Sequence, residues 1–371
     1  MTKKRVVYIV SQVQKSLAFE WISEGLVSRF ALSFVLLNPS GSSLEDYLVK
    51  HNIPFKRIVY RSKKDFIPAF FRTLIYLIRT RPHVVHAHLM EAQLLGLTTA
   101  WLVGVKKRIY TRHTSTYHYM YARQGIKFDR LSNVLATKIV SISQATDHAL
   151  IKLENVSQEK VVSIPHGFRF DDFLNPDKSR VEKVRIRWGI ASDGPCVGVI
   201  ARHIEWKGIQ YVIPAFKQFL SSHPDAQLVL ANASGPFHEQ VLGLLESIPR
   251  HNYVLIPFEE DIASLYQLMD MFIHVPVDEC CEAFGQTYVE ALASGIPSIF
   301  TRSGIAAEFI VDGRNALVVP FRNSAAIYET MLTLWADTNL QKNLAENGKR
   351  DVISRFHINR MLDSLSALYG S

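Results

Sequence analysis

In Asp278-Glu279-Cys280-Cys281-Glu282-Ala283-Phe284-Gly285-Gln286-Thr287-Tyr288-Val289-Glu290-Ala291-Leu292-Ala293-Ser294-Gly295-Ile296-Pro297 an acidic loop gives way to a short helix. The apolar run at residues 272–275 just before it reads as a β-strand. Gly285 opens the helix and Gly295 closes it, a residue suited to the left-handed position beyond a helix end. Strand, loop and helix in that order aim the helix N-terminus into a cleft. Free amides at Gly285, Gln286 and Thr287, with the partial charge of about +0.5 at a helix start, make an anion site suited to a diphosphate. The bare backbone of Gly285 lets such an anion come close. Glu290, about one turn in, can accept two hydrogen bonds from a ribose diol, as the acidic residue of dinucleotide-binding folds does. Glu282, ahead of the helix, would instead face the group that such a diphosphate carries.

Outward from this element the pattern repeats. Apolar runs at residues 6–10, 32–37, 84–87, 108–111 and 139–142 alternate with amphipathic stretches such as 17–30. The alternation restarts at 196–201, 209–221, 227–230, 253–257, 272–275 and 298–300. This is the mark of βαβ units around parallel sheets, so the predicted class is α/β with two doubly wound, Rossmann-like domains. The length of 371 residues agrees, being too large for one ordinary core. The polar, turn-rich Asn175-Pro176-Asp177-Lys178-Ser179 sets the boundary near residue 180. The expected domains are therefore 1–180 and 181–350, followed by a C-terminal helix over 351–371 with Met361, Leu362, Leu365 and Leu368 on one stripe.

Composition excludes several classes. With 48% hydrophobic and 20% charged residues the chain reads as a packed globular protein rather than a disordered one. The apolar run after Met1-Thr2-Lys3-Lys4-Arg5 is too short for a signal peptide core, and the runs at 66–78 and 94–105 fall short of the ~20 residues of a membrane-spanning helix. Cys196, Cys280 and Cys281 are too few and too badly spaced for a disulfide framework or a zinc site, so a reducing cytoplasm is expected. The net charge of +8 is unevenly divided. Residues 1–185 hold 29 Lys and Arg against 14 Asp and Glu, giving +15, and residues 186–371 hold 13 against 20, giving −7. A positive half attracts nucleic acid, anionic lipid or a phosphorylated acceptor, and equally serves as a solvated face.

Glu282 and Glu290, eight apart with Phe284-Gly285 between them, form an E-x7-E element, and the chain resembles the retaining glycosyltransferase family 4 of GT-B fold. In that family the first Glu contacts the donor hexose and the second holds the ribose, so the resemblance gives those roles to Glu282 and Glu290. It also implies a binding surface over Phe284, Gly285, Gln286 and Thr287. Gly198-Val199-Ile200-Ala201-Arg202-His203-Ile204-Glu205-Trp206-Lys207-Gly208 is similar to the family's strand followed by Arg, four residues and Lys-Gly. Arg202 and Lys207 would then clamp the diphosphate, since cleavage of the sugar–phosphate bond builds negative charge that fixed cations stabilise. No Asp-x-Asp pair occurs in the chain. The metal-bound diphosphate mode of the other main glycosyltransferase fold thus has no candidate, and no metal or other cofactor is expected. In the first half, Tyr110-Thr111-Arg112-His113-Thr114 lies where a strand ends, a position favoured for ligand groups. It resembles the family's Thr-x-His site, which places His113 beside the donor sugar. His86 and His88 share one strand face, but no third ligand of recognisable spacing makes them a metal site.

Val140-Ser141-Ile142-Ser143, Ile164-Pro165-His166-Gly167-Phe168, Ser303-Gly304 with Glu308, and Asp312-Gly313-Arg314-Asn315 follow the family's order. The C-terminal helix resembles one that crosses back onto the first domain. Two positions depart from the pattern. Ser11-Gln12-Val13-Gln14-Lys15-Ser16 replaces a Gly-Gly turn after the first strand, and His166 stands where Asn is usual. The implied function is transfer of a hexose-type sugar from UDP- or GDP-sugar to a glycan or lipid-linked acceptor in cell-surface polysaccharide or glycoconjugate synthesis. A GT-B sugar-nucleotide epimerase and a nucleic-acid-binding protein using the basic half are the alternatives, the latter disfavoured as a partner assignment. The basic residues at 57–64 followed by the apolar 66–79 suit peripheral contact with an anionic membrane at its inner face. They suit a core helix with solvated flanks equally well.

Overall fold

The computed structural model describes residues 3–191 and 193–371. Two compact units divide the chain: the residues up to Phe168 together with Ile358–Ser371, and Arg169–His357. In the first unit, β1 (Arg5–Ser11), β2 (Ala31–Asn38), β3 (Phe55–Val59), β4 (Val84–His88), β5 (Lys107–Arg112), β6 (Lys138–Ser141) and β7 (Val161–Ser163) form one parallel sheet in the order β3-β2-β1-β4-β5-β6-β7. In the second, β8 (Cys196–Ile200), β9 (Gln227–Ala231), β10 (Tyr253–Ile256), β11 (Met271–His274), β12 (Ser298–Phe300) and β13 (Leu317–Val318) form another, in the order β10-β9-β8-β11-β12-β13. Among the described residues no helix is long and apolar enough to cross a membrane.

Both sheets are buried on both faces, which is why their strands read as apolar runs rather than alternating ones. Val6, Tyr8 and Val10 pack on one side of the first sheet with Ile22, Leu26 and the C-terminal Met361, Leu362, Leu365 and Leu368. Val7 and Ile9 pack on the other with Ala69, Leu77 and Leu95. In each unit the chain winds outward from a central strand in one direction and then the other. The strand order therefore reverses between β1 and β4, and again between β8 and β11, and loops leaving neighbouring strands at such a point splay apart and leave room for a ligand.

The polar stretch expected to link two domains near residue 180 lies instead inside the second unit, which begins at Arg169. Asp177 caps the helix Lys178–Trp188 by accepting from the Ser179 N–H. Arg180 bridges to Asp261, and Arg187 and Trp188 bond Glu259, so this helix is part of the unit's body. The tail is likewise divided, into Thr338–Phe356 in the second unit and Ile358–Gly370 in the first. His357 breaks it with an extended backbone at φ −61 and ψ 135.

Candidate functional site

The loops after β8 and β11 leave adjacent strands where the order of the second sheet reverses. Lys207 ends the first loop and Glu282 lies in the second, and their side chains meet in a hydrogen-bonded ion pair. Gly208 makes this close approach of the two loops feasible. Its φ is +79, and a Cβ there would stand 1.9 Å from the Val275 carbonyl oxygen. The Val277 N–H donates to the Trp206 oxygen at 3.0 Å, tying the loops together. His274, at the end of β11, brings its Nε2 to 3.3 Å from Glu282 Oε1.

Electrostatics fix the charge of this group. Burial alone would raise the Glu282 pKa, but Lys207 and His274 outweigh it and pull the carboxyl down to about 2. Glu282 is thus a carboxylate at any physiological pH. Burial pushes His274 below the ordinary imidazole value against the attraction of Glu282, which leaves a neutral ring. His274 Nδ1 is enclosed without a hydrogen-bond partner among the described residues.

The helix Gln286–Ala293 follows this loop directly, with Gly285 as its N-cap. Gly285 has φ +85, a left-handed conformation that favours glycine, and an added Cβ would stand 2.5 Å from Tyr288 Cε2. Helix geometry leaves the first N–H groups without intrahelical acceptors, and Thr287 Oγ1 is enclosed there with no hydrogen-bond partner among the described residues. The loop before the helix is clamped from outside. Ser303 Oγ accepts from the Glu282 N–H at 3.3 Å, and the Ile305 N–H donates to the Phe284 oxygen at 3.0 Å. One turn into the helix, Glu290 Oε2 accepts from the Tyr266 hydroxyl at 3.1 Å, and burial raises its pKa to about 7.

The second unit therefore brings Lys207, Glu282, Gly285, Gln286, Thr287 and Glu290 to one end of its sheet. One side chain, that of Phe284, differs from its sequence reading. Phe284 is buried with its ring edge-on to Phe356 at 5.7 Å, so it anchors the loop and leaves only backbone for a ligand. Arg202, two residues past β8, is exposed and makes no ion pair among the described residues. Sequence reasoning misses His274 and Tyr266. The only signal for His274 is a polar residue closing an apolar strand.

In the first unit a row of histidines occupies the ends of β4 and β5. His86 bonds the Tyr369 hydroxyl at 2.6 Å and Thr111 Oγ1 at 2.9 Å. His88 Nδ1 lies 3.1 Å from His113 Nε2, and the His113 ring stacks on His166 with centroids 5.6 Å apart. Burial lowers His86 and His113 to about 3 and His166 to about 4, so the row is uncharged at neutral pH. Among the described residues no group of three or more His, Cys, Asp or Glu is placed to hold a metal ion. Beside this row, Arg112 is buried against Asp129 Oδ1 at 2.6 Å and Glu154 Oε1 at 2.7 Å, and its Nε donates to the Thr114 oxygen at 2.8 Å. This network fixes the chain on either side of His113.

Residues 22–171 match the family model Glycosyltransferase Family 4, and residues 181–351 match that of glycosyl transferases group 1. The chain belongs to the family 4 type of glycosyltransferases and has their GT-B fold. It is 24% identical over 352 residues to the capsular polysaccharide biosynthesis glycosyltransferase CapM of Staphylococcus aureus, covering 91% of this chain and 89% of that one. It is 24% identical over 334 residues to the alpha-monoglucosyldiacylglycerol synthase of Acholeplasma laidlawii, covering 84% and 81%. Among solved structures, HepE of Anabaena in complex with UDP-glucose superposes with a TM-score of 0.84 at 19% identity, over 99% of this chain and 100% of that one.

Proposed function

We propose that the protein moves a hexose-type sugar, with retention of configuration and without a metal, from UDP- or GDP-sugar to a glycan or lipid-linked acceptor of the cell surface. The observation that carries this reading is the Lys207–Glu282–His274 group beside a helix start at the switch in strand order. In this reading Lys207 and Arg202 stabilise the charge that develops on the leaving diphosphate, with the amides after Phe284. Glu282 is held ionised and so accepts hydrogen bonds from sugar hydroxyls. Glu290 accepts from the ribose, and the uncharged His113 orients the sugar. No residue need act as a covalent nucleophile, because the acceptor hydroxyl attacks from the face the diphosphate leaves.

Incubating the protein with a panel of UDP- and GDP-sugars and candidate acceptors, in the presence of a chelator, tests this. Nucleoside diphosphate should appear only with acceptor present, and the product anomer, read by NMR, should match the donor's. Release from donor alone with a rearranged sugar would indicate an epimerase. Full transfer activity in Glu282→Ala would remove the assigned role of Glu282.

A further inference from the structure

A neutral imidazole carries one N–H and one lone pair, so each bond to a histidine ring constrains which nitrogen holds the proton. His88, at the end of β4, and His113, just past β5, are both neutral, because burial holds them well below the ordinary imidazole value. His88 Nδ1 lies 3.1 Å from His113 Nε2. One of these atoms must donate and the other accept.

The second nitrogen of His88 decides between them. The Tyr8 ring stacks on His88 with centroids 5.4 Å apart, the Phe19 ring stands perpendicular to it at 5.0 Å, and the His86 ring is tilted against it at 4.3 Å. His86 engages both of its own nitrogens, with Tyr369 and Thr111, and offers none to His88. His88 Nε2 is therefore enclosed with no hydrogen-bond partner among the described residues. Were His113 the donor, His88 would have to carry its proton on that enclosed Nε2. An orphaned buried N–H is rarer in folded proteins than an unused acceptor, and leaving one unpaired costs about 1 to 3 kcal/mol. The proton of His88 accordingly sits on Nδ1, and His113 accepts at Nε2. The proton of His113 is then on its Nδ1, which has no bond among the described residues, on a ring that is only partly buried.

We propose that His88 is a positioning residue for sugar transfer: its Nδ1–H locks His113 as the Nδ1–H tautomer and so makes His113 a hydrogen-bond donor to an oxygen of the bound sugar. This tautomer is the reverse of the one histidine prefers in water. A nitrogen that holds its proton cannot take one from the acceptor hydroxyl, so His113 orients the sugar and does not act as the base. The functional half of the proposal rests on the reading of His113 as the residue beside the donor sugar, whereas the tautomer does not.

Long-range proton–nitrogen NMR of the full chain with isotope-labelled histidine reads the tautomer without donor or acceptor. The His113 signals, identified by their loss in His113→Gln, should show the Nδ1–H pattern. His88→Asn keeps an N–H donor close to the place of Nδ1 and should keep that pattern, while His88→Phe should let His113 revert to Nε2–H. In initial-rate assays His88→Phe should lower kcat/KM by about tenfold or more, and His88→Asn should recover most of it. A wild-type His113 with its proton on Nε2 would overturn the proposal even if His88→Phe does not fold, and so would equal kcat/KM in wild type and His88→Phe. An Nδ1–H spectrum in a protein that transfers no sugar would fault the functional reading alone.

Discussion

A carboxylate that stays charged while buried needs a cation, and Lys207 supplies it to Glu282. Because Glu282 titrates near 2, below its ordinary 4.5, the pair contributes stability above pH 4.5 that is lost as pH falls through 2. Glu282→Gln keeps the shape and removes the charge, and should lower kcat/KM by roughly 100-fold or more in initial-rate assays. Glu290 works in the other sense. Its carboxyl, raised to about 7, keeps its proton where the unfolded chain has released it, so stability falls as pH rises from 4.5 through 7. Glu290→Gln should therefore gain about 1 to 2 kcal/mol relative to wild type between pH 5 and pH 8 in chemical denaturation. Donor affinity in the wild type should rise over the same interval, as the carboxylate becomes free to accept from a ribose. The two acids are legible from their spacing around Phe284-Gly285. His274 and Tyr266 are not, because their contacts to Glu282 and Glu290 depend on a loop path and a strand neighbour that spacing does not encode.

Gly285 joins loop to helix under two constraints, a positive φ and the close approach of the Tyr288 ring. Gly285→Ala should cost about 1 to 3 kcal/mol in denaturation and weaken donor binding through the misplaced helix start. Arg112 makes a comparable demand in the first unit. Arg112→Met would strand Asp129 and Glu154 without their cation, at a cost of roughly 3 to 5 kcal/mol in the same measurement. The central strands are legible because each is a buried apolar run. The edge strands β3, β7 and β13 are not, since Phe55-Lys56-Arg57-Ile58-Val59 mixes charges with apolar residues and the other two are only three and two residues long. Asn175-Pro176-Asp177 reads as a linker because a helix cap and a linker share the same polar, turn-forming composition.

At the scale of the whole molecule, two runs of one strand–helix alternation correspond to the two sheets. What composition does not supply is the exact crossing of the chain, at Phe168 and again at His357: Pro165 and Gly167 mark a turn before the first, but Asn175-Pro176-Asp177 offers a competing one, and no Pro or Gly stands beside His357. The central claim is that the second unit grips a nucleoside diphosphate through Lys207 and the helix start at Gly285. Isothermal titration of UDP and GDP into wild type and Lys207→Met, in a chelator, tests it most directly. Binding of one nucleotide to wild type, weakened by about tenfold or more in Lys207→Met, is the predicted result. Equal affinity in the two proteins, or no binding of either nucleotide to wild type, would contradict it.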